Sequence, residues 1–159
     1  MSQVSNENIE AAIKKIDGLG EDALDKKIET FTLQQQNLVD YLLQAGLEYE
    51  NEELNMFSIY YFAIVMEAFN EAKISLKEIS EDAIDDFQDP FVLALDAIYK
   101  DEDYSHMQDL IQQNDLMQFM MNEIEAVDED GEALTEETKT QLFIVSSGMI
   151  GLLNGAIEE

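Results

Sequence analysis

The 159-residue chain has no cysteine, no tryptophan and no arginine, and it has one histidine and one proline. Without cysteine there are no disulfides, thiol nucleophiles, Cys-type zinc sites or iron–sulfur clusters. Without arginine the chain lacks the planar fork that grips phosphate through two parallel hydrogen bonds. The lone His106 cannot supply the paired Glu-x-x-His ligands of a ferritin-like di-iron bundle, and any Ser-His-Asp triad has to centre on it. Its setting, Asp101-Glu102-Asp103-Tyr104-Ser105-His106, reads instead as a polar turn into a helix. Positive charge is also scarce: 8 Lys stand against 36 Asp and Glu, a formal charge of −28. Nucleic-acid binding depends on cations that displace phosphate counterions, so direct contact with DNA or RNA is not expected. The most apolar run, 142–157, is broken by Ser146, Ser147 and Asn154 and falls short of the roughly 20 residues of a membrane span. The first residues lack the charged and apolar regions of a secretory signal, and a cytoplasmic location is the expectation.

What the chain does have is helical periodicity. Hydrophobic residues make up 46%, enough for one soluble domain with a core despite the charge. They recur at spacings of three and four, and alternating β-type patterns are nearly absent. The spacing predicts helices at 6–17, 21–31, 33–46, 52–73, 76–87, 90–100, 104–112, 114–127 and 136–157. The fold class is therefore all-α, a single helical domain over 1–159 with eight or nine helices. Asn51 and Thr135 stand before acids and predict N-caps. Ser75-Leu76-Lys77-Glu78 has capping-box spacing, and Asp89-Pro90 has the form of a cap followed by proline at the first helical position.

The two longest helices, 54–72 and 137–157, are apolar nearly all round and predict a central pair. Their cover comes either from flanking helices or from a second copy of the chain in a homodimer. Gly148, Gly151 and Gly155, with Ser147, make one side of the last helix small, which predicts close approach of a neighbour. The segment beginning Gln35-Gln36-Asn37-Leu38 resembles the one beginning Gln113-Asn114-Asp115-Leu116, and each leads through an acidic linker into a long apolar helix. This suggests repeat halves 33–73 and 111–157 about a pseudo-two-fold axis. Tyr60, Tyr61, Phe62, Phe69, Met56 and Met66 read as core, as do Met117, Met120 and Met121.

Two acidic arrangements resemble metal sites. With Gly131 at the sixth position, the stretch around Asp128, Asp130 and Glu137 resembles part of an EF-hand calcium loop, which implies those three as ligands. The first ligand position holds Ala126, however, and an acidic turn between two helices accounts for the same residues. The pairs Glu50/Glu53, Glu78/Glu81 and Asp82/Asp85 are similar to the magnesium-binding carboxylates of all-helical nucleoside triphosphate pyrophosphatases. That resemblance implies Mg²⁺ or Mn²⁺ and nucleotide chemistry. The second pair departs from that family's Glu-x-x-Asp order, and no arginine is present to hold phosphate.

Charge is the strongest signal. Residues 1–77 hold 6 Lys and 14 acids, net −8, whereas residues 78–159 hold 2 Lys and 22 acids, net −20. The expected function is a non-enzymatic acidic binding protein that covers the basic surface of a partner protein, as an inhibitor, immunity protein or nucleic-acid mimic does. The expected contact residues are Asp82, Asp85, Asp86, Asp101, Asp103, Asp128 and Asp130, with no cofactor and no membrane. The alternatives are a carboxylate-held Mg²⁺ or Mn²⁺ enzyme acting on nucleotides, and a structural or oligomeric protein whose acidity is only a surface property.

Overall fold

A computed structural model of the chain describes residues 2–127 and 130–158. Among them the backbone forms eight α-helices: α1 (Asn6–Asp17), α2 (Glu21–Gln34), α3 (Gln36–Glu48), α4 (Glu52–Glu71), α5 (Glu81–Asp101), α6 (Ser105–Ile111), α7 (Asn114–Glu125) and α8 (Glu136–Gly155). Half of the helix starts are fixed by a side-chain oxygen that accepts from a first-turn amide. Ser5, Asn51, Ser80 and Thr135 cap α1, α4, α5 and α8 in this way. The described residues contain no helix long and apolar enough to cross a membrane.

Most helices keep their expected places to within about three residues, and the largest departure is at α5. The two helices predicted at 76–87 and 90–100 are a single α5, and neither Ser75 nor Asp89 is a cap. Residues 76–80 are not helical because their backbone is used elsewhere. Leu76 forms an isolated bridge with Ile157, the Lys77 amide donates to the Ala156 carbonyl, and the Glu158 amide donates to the Ser75 carbonyl. Ser80 then starts the helix. Pro90 lies inside α5 and removes the bond to the Asp86 carbonyl, a cost of about 3 kcal/mol in a helix interior. Asp86 and Pro90 are both exposed, so water reaches that carbonyl, while Phe91, Ala94 and Ile98 on the other face are buried and hold the helix to the core.

The long helices are central, as their sequence predicts. In α4 every residue from Tyr61 to Phe69 is buried, and α8 is buried almost continuously from Gln141 to Leu153. The two pack on each other; α1, α2 and α3 flank α4, and α5, α6 and α7 flank α8. The apolar girth of both is thus covered within the chain.

Two buried glutamines lock these layers together. Gln35 and Gln113, the N-cap residues of α3 and α7, are 1% and 0% exposed. Gln35 Nε2 donates to the Lys77 carbonyl (2.9 Å), and its Oε1 accepts from the Ile79 amide (3.0 Å). Gln113 Nε2 donates to the Ser2 carbonyl and Oε1 accepts from the Val4 amide, both at 3.0 Å. Each amide thus clamps a carbonyl and the amide two residues on, in an extended segment that ends at the serine cap of the next helix. A second Nε2 bond joins Gln113 to Asn154.

Glu67 is the one buried carboxylate among the described residues. It is held by Lys15 of α1 at 2.9 Å and Lys27 of α2 at 3.2 Å, and Asn70 also donates to it. Burial pushes its pKa up. The bonds from Lys15, Asn70 and Lys27 outweigh that and leave it below the ordinary value of 4.5. Lys139 similarly joins Glu125 of α7 to Glu136 of α8.

Two outcomes are expected. Gln35→Leu and Gln113→Leu each leave two backbone groups without partners, so each should lose about 2–6 kcal/mol in urea unfolding, at about 1–3 kcal/mol per orphaned group. The exposed control Gln36→Leu should change little. For Glu67→Gln, the folded-state depression makes the carboxylate stabilising above its ordinary pKa. The wild type should therefore exceed the variant in urea midpoint at pH 7, and the gap should close as pH falls below about 4.5. A gap that stays constant to pH 3 contradicts the assignment.

Candidate interaction groove

The helices α3 and α5 both rest on α8, and between them lies a groove of about 660 Å³. They run parallel. At the near end the Asn37 amide donates to the Ile79 carbonyl (3.0 Å), which fixes the start of α3 to the residue before the α5 cap. Midway Tyr41 meets Gln88 across the gap, and at the far end Tyr49 of α3 and Leu95 of α5 line it. Burial raises the Tyr41 hydroxyl above its ordinary pKa, with the Gln88 hydrogen bond opposing, so the phenol is neutral at physiological pH.

The floor owes its shape to the small side of α8. A Cβ on Gly148 would stand 2.5 Å from the Tyr41 hydroxyl, and one on Gly151 would stand 2.6 Å from the Phe87 ring. Within the chain these glycines admit aromatic rings from α3 and α5. Phe87 in turn stacks on Phe91, with centroids 5.2 Å apart. Ile144 and Val145 complete the floor.

The rims carry one sign of charge. Asp40 and Glu48 stand on the α3 side, Glu81 and Asp85 on the α5 side, and no lysine lines the groove. Of the acids expected to make contact, only Asp85 lies here. Asp82 and Asp86 are exposed one turn apart on the outer side of α5, and Asp101 is exposed at its end. Asp103 has structural work. It accepts from the Ser105 amide (2.9 Å) and hydroxyl (2.6 Å), which holds its pKa below the usual carboxylate value, and it approaches exposed His106 at 3.7 Å. Asp130 is exposed in the turn between α7 and α8, and Asp128 lies outside the described residues. The sequence reading missed Asp40, Glu48, Tyr41 and Tyr49. The available signal is the four-residue recurrence Asp40, Gln44, Glu48 beside Tyr41, Ala45, Tyr49, a polar rim next to an apolar stripe.

The helices α1 and α7 meet directly, and α4 tyrosines bond to both. Tyr60 donates to Asp17 (2.7 Å) and Tyr61 to Glu123 (3.1 Å), and the Tyr61 ring meets Phe119 edge-on at 6.1 Å. Burial and these carboxylates push both phenols above their ordinary range. Tyr61, Phe62, Phe69 and Met66 are core as expected, and so is Met120. Met56 and Met121 are exposed.

The metal-like arrangements do not assemble among the described residues, where no three His, Cys, Asp or Glu side chains converge. Glu50 sits past the end of α3 at φ 54°, while Glu53 is in the first turn of α4. Glu78 is in the extended segment before the Ser80 cap, and Glu81 is the first residue of α5. In the EF-hand-like stretch, Ala133 pairs with Val127 of the same loop.

The glycine-seated floor can be tested by a double-mutant cycle. Gly148→Ala should cost about 1–3 kcal/mol, as overpacking does. In a Tyr41→Phe background the same change should cost little, because the atoms that remain lie at 3.4 Å, ordinary contact. Equal costs in both backgrounds contradict the arrangement.

No family model, curated protein or solved structure matches the chain.

Proposed function

We propose that the chain is a non-enzymatic acidic binding protein that covers the basic surface of a partner protein, in the manner of an inhibitor, an immunity protein or a nucleic-acid mimic. The observation that carries this reading is where the net charge of −28 sits. Among the described residues Glu67 alone of the carboxylates is buried, and two lysines neutralise it. A third lysine, Lys139, is drawn to Glu125 and Glu136. The excess negative charge is therefore displayed outward. Such crowding destabilises the chain by self-repulsion over about 8–10 Å at physiological salt. A basic partner relieves that repulsion on binding, and complementary fields speed the encounter and select among partners.

The test is affinity capture from the source lysate through a salt series, followed by association kinetics with the captured protein. One basic protein should remain in stoichiometric amount through about 0.3 M salt, where long-range attraction is largely screened. Its association rate should fall as ionic strength rises. A mixture of basic proteins released at physiological salt overturns the reading.

A further inference from the structure

We infer that the α3–α5 groove is the seat for a lysine- or arginine-rich amphipathic helix of the basic partner, its apolar stripe on the α8 floor and its cations along the two acidic rims. This deepens the function proposed above and rests on it.

Shape argues for a helix. The groove follows α3 from Asn37 to Tyr49 and α5 from Glu81 to Leu95, about 18–21 Å at 1.5 Å per residue. That is three to four turns of an occupant lying between two parallel walls, the helix-in-groove mode of recognition. The surface is ready for an apolar stripe. Val92 is 49% exposed and Tyr49 37% exposed at its edge, while Ala45, Leu95 and Ile144 line the interior. Tyr49 is an aromatic anchor at the rim, of the kind that dominates binding energy.

Charge decides the occupant. Asp40, Glu81 and Asp85 stand toward the near end of the gap and Glu48 toward the far end, and no lysine lines it. Holding four carboxylates and no cation along one cleft is unfavourable, and a cationic helix there converts that repulsion into attraction. A second copy of this chain brings more negative charge to the same place and is disfavoured. The meeting of α1 and α7 offers a contrast. There Tyr60, Tyr61 and Phe119 pack ring against ring. From α8 the α3–α5 groove is lined by Ile144 and Val145 and by no aromatic ring.

The experiment uses the full chain and a labelled peptide of about 14 residues, matched to the groove at 1.5 Å per residue. The peptide consists of leucine and lysine, with leucines at helical three- and four-residue spacing. Its controls are a scrambled peptide of equal composition and one with glutamate in place of lysine. Fluorescence anisotropy should show the amphipathic peptide binding at least about tenfold more tightly than the scrambled one, with no binding of the acidic one. The double variant Glu48→Lys/Asp85→Lys should weaken binding about tenfold or more, a difference of about 1.4 kcal/mol. The variant Asp82→Lys/Asp86→Lys, with the same charge change on the outer side of α5, should weaken it far less. Ala45→Trp, which fills the groove from the α3 wall without altering charge, should also abolish tight binding. Equal losses from the two charge variants, or equal binding of the scrambled peptide, overturn the groove while leaving general acidic binding intact. Sedimentation of the protein alone that shifts with Ala45→Trp overturns it differently, by identifying the occupant as a second copy. Failure of every peptide to bind, with a basic protein still captured through 0.3 M salt, places the partner elsewhere on the chain.

Discussion

The buried amide of Gln35 is the contact on which the rest of the architecture turns. It sits at the start of α3 and reaches 42 and 44 residues along the chain to hold Lys77 and Ile79. With Asn37 on the Ile79 carbonyl, it fixes where α5 begins relative to α3. Two helices that have little need to touch are thereby pinned at one end and laid side by side on α8. The gap between them is a consequence of that pin and of the small residues beneath it. A buried amide suits the purpose because it accepts and donates at once, and its loss leaves two backbone groups without water or partner. Gln113 does the same for the segment leading into α1, from 109 and 111 residues away along the chain.

Electrostatics explains why the surface and the interior follow different rules. Inside, Glu67 is tolerated because Lys15, Lys27 and Asn70 together supply its hydrogen bonds. Outside, carboxylates accumulate with few cations to balance them. Acids in the first turns of α2, α4, α5 and α8 favour those helices through the helix dipole. That accounts for several, but not for Asp40 and Glu48 within and at the end of α3, or for Asp101 at the end of α5, where the dipole disfavours an acid. Those positions fit a surface shaped for a cationic partner better than one shaped for helix stability.

Much of the fold was legible because it is local. Three- and four-residue spacing marks the helices, Asn51 and Thr135 cap where expected, and the all-round apolarity of α4 and α8 announces their central place. The misreading at Asp89-Pro90 is equally local. That dipeptide has the form of a helix start, and only the burial of Phe91, Ala94 and Ile98 on one continuous face shows α5 running through it. The resemblance between the Gln35 and Gln113 segments was visible as letters, but their clamps were not, since the bonded residues lie far away along the chain. The groove was half legible for the same reason. Asp85 stood out in a dense acidic run, whereas Asp40 and Glu48 belong to a helix with modest charge, and only the tertiary pairing of α3 with α5 makes them its rim.

The central claim is that a basic helix lies on the α8 floor between α3 and α5. Methyl NMR of the full chain, titrated with the leucine–lysine peptide, tests it most directly. The account predicts that shifts concentrate on Ile84, Val92, Leu95, Ile144 and Val145, which line the groove, while Ile9, Ile13 and Ile28 in α1 and α2 stay in place. Shifts centred on α1 and α2, or spread evenly over the surface, contradict it.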